Sequence, residues 1–172
     1  MDAALLIVRL VVGLYVAAHG AQKLFGWFGG HGLDGTQGFI GGMLGFRPAW
    51  LWTLAVSLTE FGGGLLLALG LLAPLGAIGV ATAMAPIVIV AHWSNGPWNS
   101  NRGYELPLTN LAVAVGLALA GPGAYSLDRV FGIAVPAGLS QVVALVALIG
   151  VVLALATRRA PAAQPQAQPK AA

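Results

Sequence analysis

The side chains that could do chemistry in this 172-residue chain are few, and several lie inside long apolar stretches. Glu60 lies near the middle of one such stretch, residues 50–72. A charge at the centre of a helix in lipid costs roughly 2.5–3.5 kcal/mol, so it indicates either a function or an ionic partner. An arginine–carboxylate pair neutralises both groups through charge-assisted hydrogen bonds. We therefore predict that Arg9 pairs with Glu60, whether the pair is functional or only structural.

His19 and Lys23 lie on one face of the first apolar stretch, residues 3–24, together with Tyr15 and Gln22. Residues three and four apart are neighbours on a helix surface, so their polar atoms can act together. Lys23 is also near enough to the end of the stretch to reach water by extending its side chain. A single histidine in an apolar helix is often a hydrogen-bonded core residue. Ligand binding and these structural roles both remain open for His19 and Lys23.

A second group of candidates surrounds the connection 94–103. His92 precedes this connection, Trp98 lies within it, and Tyr104 and Glu105 follow it. Aromatic rings beside ionisable groups can bind a planar ligand, but tryptophan and tyrosine are also enriched at membrane–water interfaces. His92 and Glu105, close to stretch ends, can likewise be merely interfacial. The group is therefore either part of a small-molecule site or part of an interfacial belt.

Small and polar residues share a face on further apolar stretches. On the second stretch these are Thr53, Ser57, Glu60 and Gly64, and on the fourth they are Glu105, Thr109, Ala112 and Gly116. Faces of small residues let helices approach closely, and polar side chains on them bond between helices. We expect these faces to meet inside a bundle and to bring the charged side chains together.

Several kinds of site are not indicated by the sequence. The chain contains no cysteine, which excludes a thiolate nucleophile, an iron–sulfur cluster and cysteine-ligated zinc on this chain. No pair of histidines has the spacing of a helical zinc motif. We therefore predict no metal site from the residues that could supply ligands, which are His19, His31, His92, Glu60 and Glu105. Electron transfer would have to use a bound cofactor or a partner subunit.

The composition excludes a soluble globular protein. Charged residues make up 8% of the chain, against about 25% in typical soluble domains. Hydrophobic residues make up 58%, and the mean hydropathy is +0.86. The excess of 8 basic over 5 acidic side chains forms no stripe that could follow a phosphate backbone, so we predict no nucleic-acid partner. The chain is expected to be an integral membrane protein whose surroundings are the lipid bilayer.

Five apolar stretches are long enough, or nearly so, to cross a bilayer, which takes about 20 residues. They are residues 3–24, 50–72, 75–93, 105–120 and 137–157, of which 105–120 is short. Ala73-Pro74 predicts a tight turn that makes the second and third spans antiparallel neighbours. A short interfacial helix is predicted within 25–49. The segment 159–172, rich in Ala, Pro and Gln, is expected to be disordered.

Basic residues near the spans predict the orientation in the cell membrane. With five spans, the two faces carry unequal numbers: Lys23, Arg47, Arg102, Arg158, Arg159 and Lys170 on one, Arg9 and Arg129 on the other. Loops rich in Lys and Arg stay in the cytoplasm. We expect the N-terminus outside and the C-terminus in the cytoplasm.

Particular motifs are similar to those of the DoxX family of small integral membrane proteins. They include His19-Gly20, Lys23-Leu24, Glu60-Phe61-Gly62-Gly63, Gly103-Tyr104-Glu105 and the segment 121–128, GPGAYSLD. The resemblance extends over about residues 4–132. It implies an all-α, polytopic bundle with a four-helix DoxX-like core at 3–132, to which 133–158 add a fifth C-terminal transmembrane helix. The family is named after a membrane subunit of a thiosulfate:quinone oxidoreductase.

The resemblance and the polar residues together suggest a quinone-interacting membrane subunit of an oxidoreductase, working with a partner subunit. His19 and Lys23 would hydrogen-bond a quinone carbonyl, and Glu60 or Glu105 would relay a proton. Arg9, His92, Trp98 and Tyr104 complete the predicted site. One alternative is a non-catalytic membrane scaffold or chaperone whose ion pairs serve only the fold. A weaker one is a proton-coupled carrier, although the sequence has no obvious inverted repeat.

Overall fold

The structure, a computed structural model, describes residues 1–159, and over this range it is helical with no β-strand. The segment predicted to be disordered, 159–172, lies outside the described range beyond residue 159. Seven α-helices follow one another: α1 (Asp2–Phe25), α2 (Gly32–Gln37), α3 (Ala49–Leu69), α4 (Leu75–Pro86), α5 (Glu105–Ala120), α6 (Leu127–Phe131) and α7 (Ala137–Ala156). A π-helical segment, Gly38–Met43, continues α2 and completes the predicted short helix before α3.

The third apolar stretch forms a helix of mixed geometry. Pro86 lies at its centre, and proline lacks the N–H that an α-helix needs there. The helix continues past it as a π-helix, Ile87–His92, and then a short 3₁₀ turn, Trp93–Asn95. The whole unit, Leu75–Asn95, is long and apolar enough to cross a membrane.

Four helical units of the described range have the length and composition of membrane spans: Asp2–Phe25, Ala49–Leu69, Leu75–Asn95 and Ala137–Ala156. The chain is therefore a multi-pass membrane protein. α5 is apolar but has 16 residues, about 24 Å of helix against a hydrocarbon core of about 30 Å. All five predicted stretches are thus helical, and α5 is the shortest of them.

α1 and α3 make the most extensive helix–helix contact in the described chain. Glycines allow it: a Cβ atom at Gly13 would lie 2.6 Å from the backbone nitrogen of Ala68, and one at Gly64 would lie 2.5 Å from that of Ala17. A Cβ at Gly20 would overlap the backbone of Phe61. Since Gly13 faces Ala68 and Gly20 faces Phe61, the two helices run antiparallel, backbone against backbone.

The predicted tight turn joins α3 to α4 and makes them antiparallel neighbours. Gly70 ends α3 in the left-handed conformation (φ 61°), which glycine adopts without strain. Past the turn, Gly76 lies against the backbone of Leu67, so α4 starts close to the end of α3. α4 then packs on α5 around the fully buried side chains of Val80 and Ala114.

Contacts between connections define two opposite faces of the bundle. We name one of them the turn face; it is made by the N-terminus, residues 70–74 and residues 121–136. Here the Asp2 carboxylate accepts a hydrogen bond from the Ala124 N–H. The other is the loop face, made by residues 26–48, residues 96–104 and the end of α7. There the Arg159 N–H donates to the Gly45 carbonyl (2.8 Å). The Arg158 side chain donates to the Leu44 carbonyl there.

Gly64→Ala is expected to destabilise the protein by about 1–3 kcal/mol, because the added methyl group must separate two touching backbones. The measurement is the unfolding midpoint in mild detergent. Gly62→Ala is the matched control, since no atom lies within 4 Å of a Cβ there. The control gains helix propensity, at most about 1 kcal/mol. Equal midpoints for the two variants would contradict the close α1–α3 contact.

Candidate functional site

Glu60 forms an ion pair with Lys23, and this pair is the centre of the candidate site. The Lys23 Nζ donates to Glu60 Oε2. Glu60 is almost fully buried (1% exposed), whereas the Lys23 side chain is 25% exposed. The carboxylate is therefore inside the bundle, and its cationic partner connects it to the bundle surface. The prediction that Arg9 is the partner of Glu60 was wrong.

The register of α1 against α3 explains this correction. The glycine contacts place Gly20 beside Phe61, so the next turn of α1, which carries Lys23, reaches Glu60. Arg9 lies about four turns earlier and comes beside Gly70, at the opposite end of α3. The spacing of residues predicted which helix faces carry the charged side chains. It did not predict how far α1 is shifted along α3.

Arg9 belongs to a separate buried cluster at the turn face. It is 2% exposed, and one guanidinium nitrogen donates to the Tyr125 carbonyl. Asp128 is the acidic neighbour of Arg9, and its two carboxylate oxygens accept the N–H groups of Leu72 and Ala73 at 2.7 Å each. The cluster ties α1 to the α3–α4 turn and to the connection after α5, which is a structural role.

Sequence reasoning missed Asp128 as the acidic neighbour of Arg9. A signal was present: when spans alternate in direction, the start of α1 and the connection after α5 lie at the same face. The Nε and Nη1 atoms of Arg9 have no hydrogen-bond partner among the described residues. Arg9 also lines a cavity of about 10 Å³, close to the space that one water molecule needs.

His19 and a group of aromatic rings lie beside the Lys23–Glu60 pair. His19, one turn before Lys23, is half-buried and packs edge-to-face on Tyr15, with ring centroids 4.7 Å apart. The ring of Phe25 contacts both Trp27 (4.9 Å) and Phe61 (5.4 Å). Tyr15 and Phe25 are about half exposed. This edge of α1 therefore presents polar atoms and flat rings together to the lipid.

The second predicted group forms a local cluster at the loop face. The His92 ring nitrogen Nδ1 is 2.5 Å from the Arg102 carbonyl, and Glu105 accepts the Asn99 N–H at 2.8 Å. Tyr104 stacks on Trp93 with centroids 4.9 Å apart. Trp98 is 66% exposed.

Each of the bonds made by His92 and Glu105 holds the connection 96–104 in shape. Within residues 1–159 no hydrogen bond or ion pair joins this cluster to His19, Lys23 or Glu60. The structure thus separates the predicted site residues into three places: Arg9 at the turn face, the Lys23–Glu60 pair with His19, and the cluster at the loop face.

Thr53 and Ser57 are buried on the same face of α3 as Glu60. Thr53 is 1% exposed and Ser57 is 0% exposed. Their hydroxyl oxygens have no hydrogen-bond partner within residues 1–159. The spacing on α3 predicted the shared face, but the sequence alone did not reveal that the hydroxyls would lack partners.

An apolar cavity of about 170 Å³ lies between α3, α4 and α7. Its walls include Phe46, Trp52, Thr59, Ile87 and Val151. The α3 residues among these point away from the face that carries Glu60, and neither Lys23 nor Glu60 lines the cavity. It can hold an acyl or isoprenoid chain, but it does not open onto the ion pair.

Residues that could bind a metal do not assemble. Within the described range, no group of three or more His, Asp or Glu side chains is arranged to hold an ion. His19 and His92 belong to separate groups, as described above, and His31 lies in the connection before α2.

The family model described as DoxX matches residues 4–93. The chain belongs to the DoxX family. Searches of curated proteins and of solved structures found no match. The DoxX match begins in the first turn of α1 and ends at residue 93, near the end of the third span, and so includes Arg9, His19, Lys23, Glu60 and His92. Trp98, Tyr104 and Glu105 lie outside it, and the wider resemblance over about residues 4–132 stays a prediction.

Lys23→Met is expected to destabilise the protein by about 3–5 kcal/mol, because it leaves a buried carboxylate without its cation. The double variant Lys23→Met/Glu60→Gln should recover most of this loss, since it removes both charges. Unfolding in mild detergent at neutral pH measures the three proteins. A double variant no more stable than Lys23→Met would contradict the ion pair.

Proposed function

We propose that this DoxX protein is a quinone-interacting membrane subunit of an oxidoreductase, with its polar site at His19, Lys23 and Glu60. One observation carries the proposal: a carboxylate buried within the bundle is paired with a lysine that is partly exposed at the bundle surface. Charged groups at such depth are costly and generally mark functional sites. His19 adds a further ionisable group one helical turn away.

The residues at this edge fit the headgroup of a quinone. A quinone offers two carbonyl oxygens that accept hydrogen bonds and a flat ring. The Lys23 ammonium has three N–H groups, of which Glu60 takes one, and the His19 ring can donate another bond. The rings of Phe25, Trp27 and Phe61 supply apolar surface beside them. Entry from lipid needs no channel, because Tyr15 and Phe25 are exposed.

The chemistry divides between this chain and a partner. When bound, a quinone would supply a two-electron, two-proton acceptor. This chain has no cysteine for an iron–sulfur cluster, and we assign the source of the electrons to a partner subunit. Lys23 and His19 orient the headgroup by donating to its carbonyl oxygens. Lys23 would give a proton to the reduced headgroup, and Glu60, protonated from water and hydrogen-bonded to Lys23, would then return a proton to the lysine.

The packing between α1 and α3 disfavours the carrier alternative. Past the Lys23–Glu60 pair, the two backbones touch through Gly13, Gly20 and Gly64, and Val16 between them is fully buried. A carrier needs access from both faces, and this contact leaves no room for it. The polar site therefore exchanges protons with one face.

The scaffold alternative is favoured by a different observation. The ion pair satisfies Glu60 within the chain, and the apolar cavity does not reach it. In that case the pair specifies how α1 packs on α3, and the protein holds a partner without binding a quinone. The two functions differ in a single measurable property, the binding of quinone by the folded protein.

Quinone binding is measured by purifying the protein in mild detergent, extracting it with organic solvent and quantifying quinone by mass. The expected occupancy approaches one quinone per chain. His19→Leu and the neutral double variant Lys23→Met/Glu60→Gln each remove a donor to a carbonyl, which should lower affinity about tenfold or more. His31→Leu is the matched control for His19→Leu, because His31 is an exposed side chain on the connection before α2 and not on α1.

Two results would decide against the proposal. A folded protein that neither retains quinone nor binds added quinone would favour the scaffold. Equal occupancy in His19→Leu, the double variant and the control would place any bound quinone away from these residues.

For the arrangement in the cell membrane, we propose five passes, with the N-terminus outside and the C-terminus in the cytoplasm. The support is geometric: Asp2 bonds to the connection after α5, whereas the end of α7 bonds to Gly45 at the opposite face. This arrangement needs α5 to cross, despite its 16 residues. The excess of basic residues at the loop face favours that face as cytoplasmic.

The crossing of α5 can be tested with single cysteines, because the chain has none of its own. Asn101→Cys precedes α5 and Arg129→Cys follows it, and both positions are exposed. In sealed vesicles, an impermeant thiol reagent is expected to label them from opposite sides. Labelling of both from one side would mean that α5 does not cross.

A further inference from the structure

Thr53, Ser57 and Glu60 form a row along one face of α3, and the hydroxyls of this row have no partner. Residues at these spacings point in nearly the same direction on a helix. All three are at most 1% exposed, and Thr53 Oγ1 and Ser57 Oγ lack a hydrogen bond within the described residues. Buried hydroxyl groups are rarely left unpaired, so each such group calls for an explanation.

The outer end of the row lies at the loop face. In the register that places Gly20 beside Phe61, α1 ends at Phe25 about level with residue 56, so Ser57 lies beside the last turn of α1 and Thr53 lies beyond it. The earlier turns of α3 pack instead against α2 and the π-helical segment Gly38–Met43, with Gly41 lying against Ala49. Along α3, Thr53 and Ser57 therefore both lie on the loop-face side of Glu60.

The inner end of the row is closed. Past Glu60, Gly64 touches the backbone of Ala17, and Gly13 touches that of Ala68. These contacts contain no polar side chain that could continue the row. Any path along Thr53 and Ser57 thus ends at the Lys23–Glu60 pair.

We propose that Thr53 and Ser57 line a narrow, hydrated path that joins the loop face to Glu60 and ends there. Water molecules bonded to the two hydroxyl groups satisfy them and carry protons in single file between the loop face and the carboxylate. The use of this path to supply protons for a quinone rests on the proposed function. Its hydration does not, and can be measured separately.

The path is tested with Ser57→Cys, a nearly isosteric change that creates the chain's single thiol. The probe is Ag⁺, a cation small enough to follow a single file of water molecules. After denaturation, the thiols that have bound Ag⁺ are counted by their failure to react with a maleimide label. Ala114→Cys is the matched control, since Ala114 is also 0% exposed but lies in the apolar core. Protection of Ser57→Cys should be at least about tenfold faster, because a thiol in apolar surroundings stays protonated and unreactive.

A second pair of variants tests whether Thr53 lines the path. In the Ser57→Cys background, Thr53→Val replaces the hydroxyl by a methyl group of similar size, and Thr53→Ser keeps it. Protection by Ag⁺ should slow in the first and be retained in the second. In sealed vesicles, Ag⁺ should act from the side that also labels Gln37→Cys, on α2, and not from the side that labels Arg129→Cys.

The outcomes separate this inference from the proposed function. Ser57→Cys that reacts as slowly as Ala114→Cys in a folded protein would overturn the path, even where quinone is bound. Rapid, one-sided protection in a protein without quinone would support the path while the proposed function fails. Should Ser57→Cys not fold, Thr53→Cys takes its place with the same control and the same expectation.

Discussion

The position of every buried charge in this DoxX protein depends on the close packing of α1 against α3. Glycines let the two backbones touch, so the register between the helices is set by contact and cannot slide. That register brings Lys23 to Glu60 at one end and Arg9 to Gly70 at the other. A buried carboxylate such as Glu60 is stable only with a well-placed cation, because it has lost its contact with water. The glycine contacts supply this geometry because they fix the register of the two helices.

The two charged centres, around Arg9 and around Glu60, differ in how accessible they are to a ligand. Arg9 is 2% exposed, and although two of its guanidinium nitrogens have no partner within residues 1–159, the third donates to a backbone carbonyl and Asp128 accepts two N–H groups of the α3–α4 turn. Around Glu60, by contrast, the lysine is partly exposed and His19 is half-buried, so polar side chains of this centre reach the bundle surface. The arrangement around Arg9 is typical of a structural contact between segments, and the arrangement around Glu60 is typical of a ligand-binding site. This contrast, more than the presence of charge, supports a ligand at Lys23 and Glu60.

The helices and their faces could be predicted from the sequence, whereas partners between helices could not. Apolar length identified the spans, and spacing placed Thr53, Ser57 and Glu60 on one face. If α1 and α3 ended level, Glu60 would lie opposite the middle of α1, between Arg9 and Lys23, so charge strength alone favoured the arginine. The observed register of α1 against α3 instead makes Lys23 the partner of Glu60. Likewise, His92 and Glu105 carry chemistry in principle, but the backbone groups of their own connection bind them first, which only coordinates reveal.

The contact between the end of α7 and the first long connection has a consequence for biosynthesis. Arg158 and Leu44 are 114 residues apart in sequence, yet their hydrogen bond fastens the connection 26–48 to the end of α7. A chain that enters the membrane from its N-terminus makes the connection 26–48 early and its fastening last. Until the final helix arrives, this connection lacks these bonds to the C-terminal end. The fastening of this connection is therefore completed at the end of synthesis, by a helix that lies outside the DoxX match.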